Sequence, residues 1–243
     1  LQCQPGRGVN VGPHPHMGLA TLTYLFAGGM LHRDSLGNVQ EIFPGEVNWM
    51  TAGRGIVHSE RETLEVRSVE HCLDGLQLWL ALPPEYSEIQ PAFQHCCKAE
   101  LPHRYQGNPY MRLVAGEAYG MTSPVRTYMK TFFVDIVSAA GEQIELPDGD
   151  EVALYVQQGE ILVGDDICRA GEFVVLSADE VLLPQTPARC VLLGGERYAK
   201  MPHLRWHFVA YNRARIAQAE SVWQQGRFAT RPGADGEFTP PTA

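Results

Sequence analysis

Pro13-His14-Pro15-His16-Met17-Gly18-Leu19-Ala20-Thr21-Leu22-Thr23-Tyr24-Leu25-Phe26, closed by Gly28-Gly29, is the stretch on which the fold turns. Pro13 and Pro15 push the residues before them toward extended geometry, and the Leu, Thr, Tyr and Phe that follow suit a pleated, half-buried surface. In a strand, residues two apart share a face, so His14 and His16 point to one side. The same pattern returns at His58-Ser59-Glu60. If the two segments are neighbouring strands, three imidazoles and a carboxylate converge on one point. That donor set suits a divalent first-row metal and leaves two positions of a six-coordinate ion open for substrate or dioxygen.

Working outward, the chain reads as short strands with Gly and Pro punctuation. Met30 to Arg33 is a returning strand, Asp34-Ser35-Leu36-Gly37-Asn38 a turn, and Val39 to Phe43 the next strand. Pro44-Gly45-Glu46 turns the chain into Val47 to Met50, and the corner Ala52-Gly53-Arg54-Gly55 aims His58 inward. From Leu76 to Leu82 the leucines alternate with Gln77, Trp79 and Ala81, and Pro83-Pro84 ends the strand. Glu85 to Arg104 shows no clear period; Tyr110 to Ala115 and Tyr128 to Val137 are strand-like. Such spacing argues for an antiparallel barrel or sandwich.

An internal repeat doubles it. Tyr24-Leu25-Phe26-Ala27-Gly28 is echoed by Tyr155-Val156-Gln157-Gln158-Gly159, and Phe43-Pro44-Gly45-Glu46-Val47 by Arg169-Ala170-Gly171-Glu172-Phe173, in the same order. The expectation is an all-β chain of two similar barrels, residues 1–125 and 126–243. The second copy has no histidine between His103 and His203; residues such as Glu145 and Pro147 stand where ligands would recur, so a repeated metal site is not expected. Asn212 to Gln225 carries Ile216, Ala219, Val222 and Trp223 at helical spacing, with Gly226 as its stop, and Arg231 to Ala243 reads as an extended tail.

Composition narrows the function classes. The 243 residues are 44% hydrophobic, and 19 Lys and Arg against 28 Asp and Glu give a net charge of −9. With no basic run, direct nucleic-acid binding is not expected. No stretch is long and apolar enough for a membrane span, and the six cysteines form no CxxC pair, which fits reduced thiols in a cytoplasmic, monomeric protein. The chain begins at Leu1 without Met, so a front segment ahead of it is expected. His32, His71, His95, His103, His203 and His207 lie in no comparable spacing and read as surface or hydrogen-bonded residues. Cys96-Cys97 reads as buried thiols, and Trp49, Trp79 and Phe26 as core that borders the site strands.

The whole chain resembles the pirins, a family of bicupin proteins. The residues that carry the likeness are Pro13-His14-Pro15-His16-x-Gly18, His32-Arg33-Asp34-Ser35-Leu36-Gly37 and Pro44-Gly45-x-Val47-x-Trp49-Met50-x-Ala52-Gly53-x-Gly55-Ile56-x-His58-Ser59-Glu60. Others are Gly75-x-Gln77-Leu78-Trp79 and the ending from Trp206 to Phe228. The resemblance implies two tandem cupin barrels, with non-haem Fe(II) held by His14, His16, His58 and Glu60 in the first and no metal in the second. The same ligands also accept Zn, Mn, Ni or Cu. It further implies quercetin 2,3-dioxygenase activity on a flavonol-like aromatic and dioxygen; Glu60, a carboxylate beside an emptied coordination position, is the expected catalytic proton acceptor. The alternative it carries is a non-catalytic, iron-dependent redox sensor that contacts a protein partner and serves transcription, as in the mammalian member. Met17 and Ala20 stand where many pirins carry Arg and Glu, which implies a less polar pocket. Pirins usually have further strands ahead of His14, absent here.

Overall fold

Leu19–Ala27 is the strand around which the first half is built: every residue but the last is buried, as a strand covered on both faces requires. It pairs antiparallel with Val47–Thr51 on one side and Asp74–Ala81 on the other. The computed structural model describes residues 2–104 and 109–228, so the expected tail from Arg231 to Ala243 lies outside the described residues. A second four-stranded sheet runs Asn10–His16, Ile56–Arg61, Met30–Asp34, Val39–Ile42. Ala92–Cys96, in the stretch without a clear period, adds a strand beside Val47–Thr51.

The chain divides into two compact units, Leu1–Lys98 with Lys200–Ala243, and Ala99–Ala199. The expected division at 125/126 placed the C-terminal helix with the second barrel. Instead the helix Arg213–Gln224 buries Ile216, Ala219 and Trp223 against Met17, Val57 and Phe208 of the first unit. Asn212 caps it, Oδ1 accepting from the Ala214 amide at 2.9 Å. Gly226, at φ 67°, ends it: the Gly226 amide donates to the Trp223 carbonyl and the Arg227 amide to the Val222 carbonyl, the Schellman pattern. Among the described residues no helix is long and apolar enough to cross a membrane.

The second unit's main sheet joins Tyr110–Ala118, Thr131–Ser138, Ala188–Gly195, Glu151–Gln158 and Phe173–Leu176, and a smaller sheet orders Asp166–Arg169, Glu160–Val163, Leu182–Pro184. Its interior is apolar, filled by Leu113, Val134, Ile136, Leu154, Val156 and Leu192. The repeat is visible in the backbone of each unit. Gly28 and Gly159 both have φ 85°, and Gly45 and Gly171 have φ 85° and 90°. In the first unit the Gly45 amide donates to the Leu25 carbonyl and the Phe43 amide to Glu46 Oε2. In the second the Gly171 amide donates to the Val156 carbonyl and the Arg169 amide to Glu172 Oε2. The echoed residues therefore make the same turn, with glycine where the left-handed backbone needs it.

Candidate metal centre

Strand register assembles the site. Asn10–His16 pairs with Ile56–Arg61 so that His14 stands opposite His58, after an irregularity between Val11 and His14. On the other side of Ile56–Arg61, the Met30–Asp34 strand sets His32 opposite Glu60 and Asp34 opposite His58. Paired residues and residues two apart share a face, so all six side chains lie on one side of this sheet. The corner before His58 turns at Gly53, φ 49°, where an added Cβ would run into the Ile89 carbonyl.

His14, His16 and His58 each offer a ring nitrogen, and the three lie within 4.8 Å of one another. His14 is 4% exposed and the other two 0%. His14 Nδ1 sits 2.9 Å from the Gly12 carbonyl, so it carries the proton and Nε2 keeps its lone pair. Neither nitrogen of His16, and not Nε2 of His58, has a hydrogen-bond partner. Burial holds the imidazolium forms of His16 and His58 well below the ordinary histidine range, with the neighbouring histidines adding to it. Burial also lowers His14, against the opposing effects of the Gly12 carbonyl and Glu60. Neutral imidazoles with unpartnered nitrogens aimed at one another are a donor set that fits a metal ion.

The fourth expected ligand stands to one side. Glu60 forms a second converging trio with His32 and His58, so the two trios share His58. Gln77 Nε2 donates to both Glu60 oxygens, at 2.7 and 2.8 Å, and to Thr23 Oγ1 at 3.1 Å. The opposite sheet thereby fixes the carboxylate. His32 Nε2 lies 3.1 Å from Asp34 Oδ2, and His58 Nδ1 lies 3.4 Å from His32 Nδ1. Burial raises the Asp34 carboxyl, but hydrogen bonds from His32 and Asn38 outweigh it and hold it below its ordinary value. With Asp34 ionised, His32 donates through Nε2 and accepts from His58 through Nδ1. His58 Nε2 is left as the lone-pair nitrogen, the arrangement a metal ligand needs.

Two residues set aside in the sequence belong here. His32 carries the period-2 signal, as His32-x-Asp34, and also stacks on Phe93 at 4.4 Å. His207 carries no local signal: its ring stacks on His16 at 5.0 Å, although nearly two hundred residues separate them. It is presented by Trp206, which adopts a left-handed φ of 49° and stacks on it at 4.5 Å. Burial, then His14, lowers the His207 pKa to about 4, against a hydrogen bond with the Pro15 carbonyl. Of the three aromatics that border the site strands, Trp79 meets His16 edge-on at 5.0 Å and is 42% exposed, whereas Trp49 and Phe26 pack elsewhere. The less polar pocket expected from Met17 and Ala20 does not follow. Met17 follows His16 and points the other way, under the C-terminal helix, and Ala20 lies on the face of its strand opposite Thr21 and Thr23.

This chain matches the Pirin family over residues 2–80 and the Pirin C-terminal cupin domain over residues 133–229. It is 40% identical over 242 residues to a pirin-like protein of Caulobacter vibrioides, covering 98% of this chain and 84% of that one. A Pseudomonas aeruginosa protein provisionally named a quercetin 2,3-dioxygenase is 38% identical over 228 residues, 92% of this chain and 70% of that one. The crystal structure of a quercetin 2,3-dioxygenase from Acinetobacter baumannii is similar at TM-score 0.90 and 31% identity, over 100% of this chain and 82% of that one. With two cupin domains in tandem and both family matches in order along its length, the chain belongs to the pirin family.

Proposed function

We propose that this chain is a metal-dependent dioxygenase of the quercetin 2,3-dioxygenase type, opening a flavonol-like aromatic with dioxygen and releasing carbon monoxide. The observation that carries the reading is the convergence of three buried, neutral imidazoles, among which both ring nitrogens of His16 and Nε2 of His58 have no protein partner. His14, His16 and His58 would hold Fe(II), with Glu60 as the fourth ligand. When bound, the ion supplies Lewis acidity that lowers the pKa of a substrate hydroxyl. The chain's own residues do the rest. Glu60, held by Gln77, accepts the hydroxyl proton at Oε1 or Oε2, and Trp79 at the exposed edge offers a flat face to an aromatic ring. Dioxygen and flavonol enter, and the ring-opened ester and carbon monoxide leave, so atoms balance. The relatives named for quercetin dioxygenation support the substrate class.

The complete burial of His16 and His58 favours a second reading, an iron-dependent redox sensor whose surface answers to the metal's oxidation state. One experiment separates the two. Protein loaded anaerobically with Fe(II) is given quercetin and then oxygen; carbon monoxide release is the expected result. No release, together with a partner contact that depends on iron oxidation state, would replace the enzyme by the sensor. His58→Ala is expected to abolish both iron binding and turnover, and a fully active H58A would sink the ligand assignment.

A further inference from the structure

A second converging group lies in the same unit and shares no residue with the first: Cys3, Glu62 and His71, whose Sγ, carboxylate oxygen and ring nitrogen lie within 4.8 Å of one another. Three separate chain segments supply them. Cys3 and His71 are partners in the short antiparallel ladder of Gln2–Cys3 with His71–Cys72, and Glu62 follows the end of the Ile56–Arg61 strand.

The local hydrogen bonds decide what this group is prepared to hold. His71 Nδ1 lies 2.8 Å from the Val69 carbonyl, so the ring proton sits there and Nε2 carries a lone pair. Nε2 faces Glu62 Oε1 at 3.0 Å, with side-chain exposures of only 8% and 0%. Yet the two atoms do not make a hydrogen bond, and neither has any other partner. The remaining Glu62 oxygen, Oε2, accepts from the Val9 amide at 2.6 Å, which fixes the carboxylate. Gly8, at φ 140°, passes so close that an added Cβ would run into Oε2. Two buried acceptors held face to face with a thiol beside them repel one another unless a proton or a metal cation lies between them.

A proton on His71 would supply one positive charge for the carboxylate and leave Cys3 a bystander. A divalent ion would use all three donors and, with a thiolate and a carboxylate, neutralise the buried charge completely. We propose that Cys3, Glu62 and His71 form a second metal site, which takes Zn(II) through one sulfur, one nitrogen and one oxygen. Zinc accepts this mixed donor set at four-coordinate geometry, with the fourth position left to water. On binding, the Cys3 thiol loses its proton to solvent, and the ion ties the Gln2–Cys3 strand to two later segments of the chain.

Sulfur is the feature that separates this site from the histidine centre. Co(II), a spectroscopic stand-in for zinc, should give a thiolate-to-metal charge-transfer band in the wild type and equally in His58→Ala. The band should be lost in Cys3→Ser and in His71→Ala. No thiolate band in the wild type, or one that survives C3S, overturns the proposal. A measurement on the unmodified chain guards against misfolded variants: Zn(II) should slow alkylation of Cys3 by iodoacetamide at least tenfold, read by peptide mass spectrometry. Unchanged Cys3 reactivity at saturating zinc would likewise overturn it.

Discussion

Each buried nitrogen without a partner at His16 and His58 costs the fold about 1–3 kcal/mol relative to a satisfied one. A purely structural pair of histidines would be better served by apolar side chains, so their presence points to a bound ligand. The same burial fixes a pH dependence. His16 and His58 have folded pKa values well below the ordinary histidine value, chiefly through desolvation. Between the folded and unfolded values the unfolded chain binds more protons, so stability rises with pH. The metal-free protein should therefore hold its full stability above about pH 6.5 and lose it as pH falls, at about 1.4 kcal/mol per pH unit for each such group. His207 contributes in the same sense until about pH 4. Urea midpoints of metal-free protein measured from pH 7 to 5 should fall, and fall less steeply in H58A; a flat wild-type profile would mean these imidazoles are not desolvated.

Among the elements, the C-terminal helix ties furthest-separated sequence to the site. Trp223 is buried against Phe208 and the residues around Met17, whose neighbour His16 faces the candidate centre. Trp223→Ala should cost about 3–5 kcal/mol in urea unfolding and weaken metal binding at the His14 and His16 strand; a loss under about 1 kcal/mol would mean the helix only rests on the surface. The strands and turns beside the first ligands were legible because their signals are local. A period of two placed His14 with His16 and His58 with Glu60, and Gly45 and Gly171 marked the same turn twice. The helix itself was legible from its spacing and its glycine stop, but the unit it packs on was not, since amphipathic spacing shows an apolar face without its partner. His32-x-Asp34 carried the same two-residue signal as the ligand pairs, yet only its register opposite Glu60 and His58 gives it a role. His207 had no signal at all, since its approach to His16 depends on tertiary packing and on the unusual backbone of Trp206. Ala92–Cys96 escaped because its burial alternates poorly.

At the scale of the whole molecule, one repeat has produced two interiors of opposite chemistry. The first unit lines part of its interior with His14, His16, His32, His58, Glu60 and Gln77, and the second fills its own with leucine, isoleucine and valine. An apolar interior closes on itself, whereas converging imidazoles with unpartnered nitrogens are satisfied by a bound ion. Because an ion binds only the folded arrangement, its binding free energy adds to the opening free energy of the cooperative unit that contains it. Hydrogen exchange with and without metal should therefore show slowing in peptides that cover Asn10–His16, Met30–Asp34, Ile56–Arg61 and Asp74–Ala81. Glu151–Gln158 and Ala188–Gly195 should exchange as before. Equal slowing in both sets would instead show that the two units open together, and that the apolar copy shares the stabilisation its partner gains from the ion.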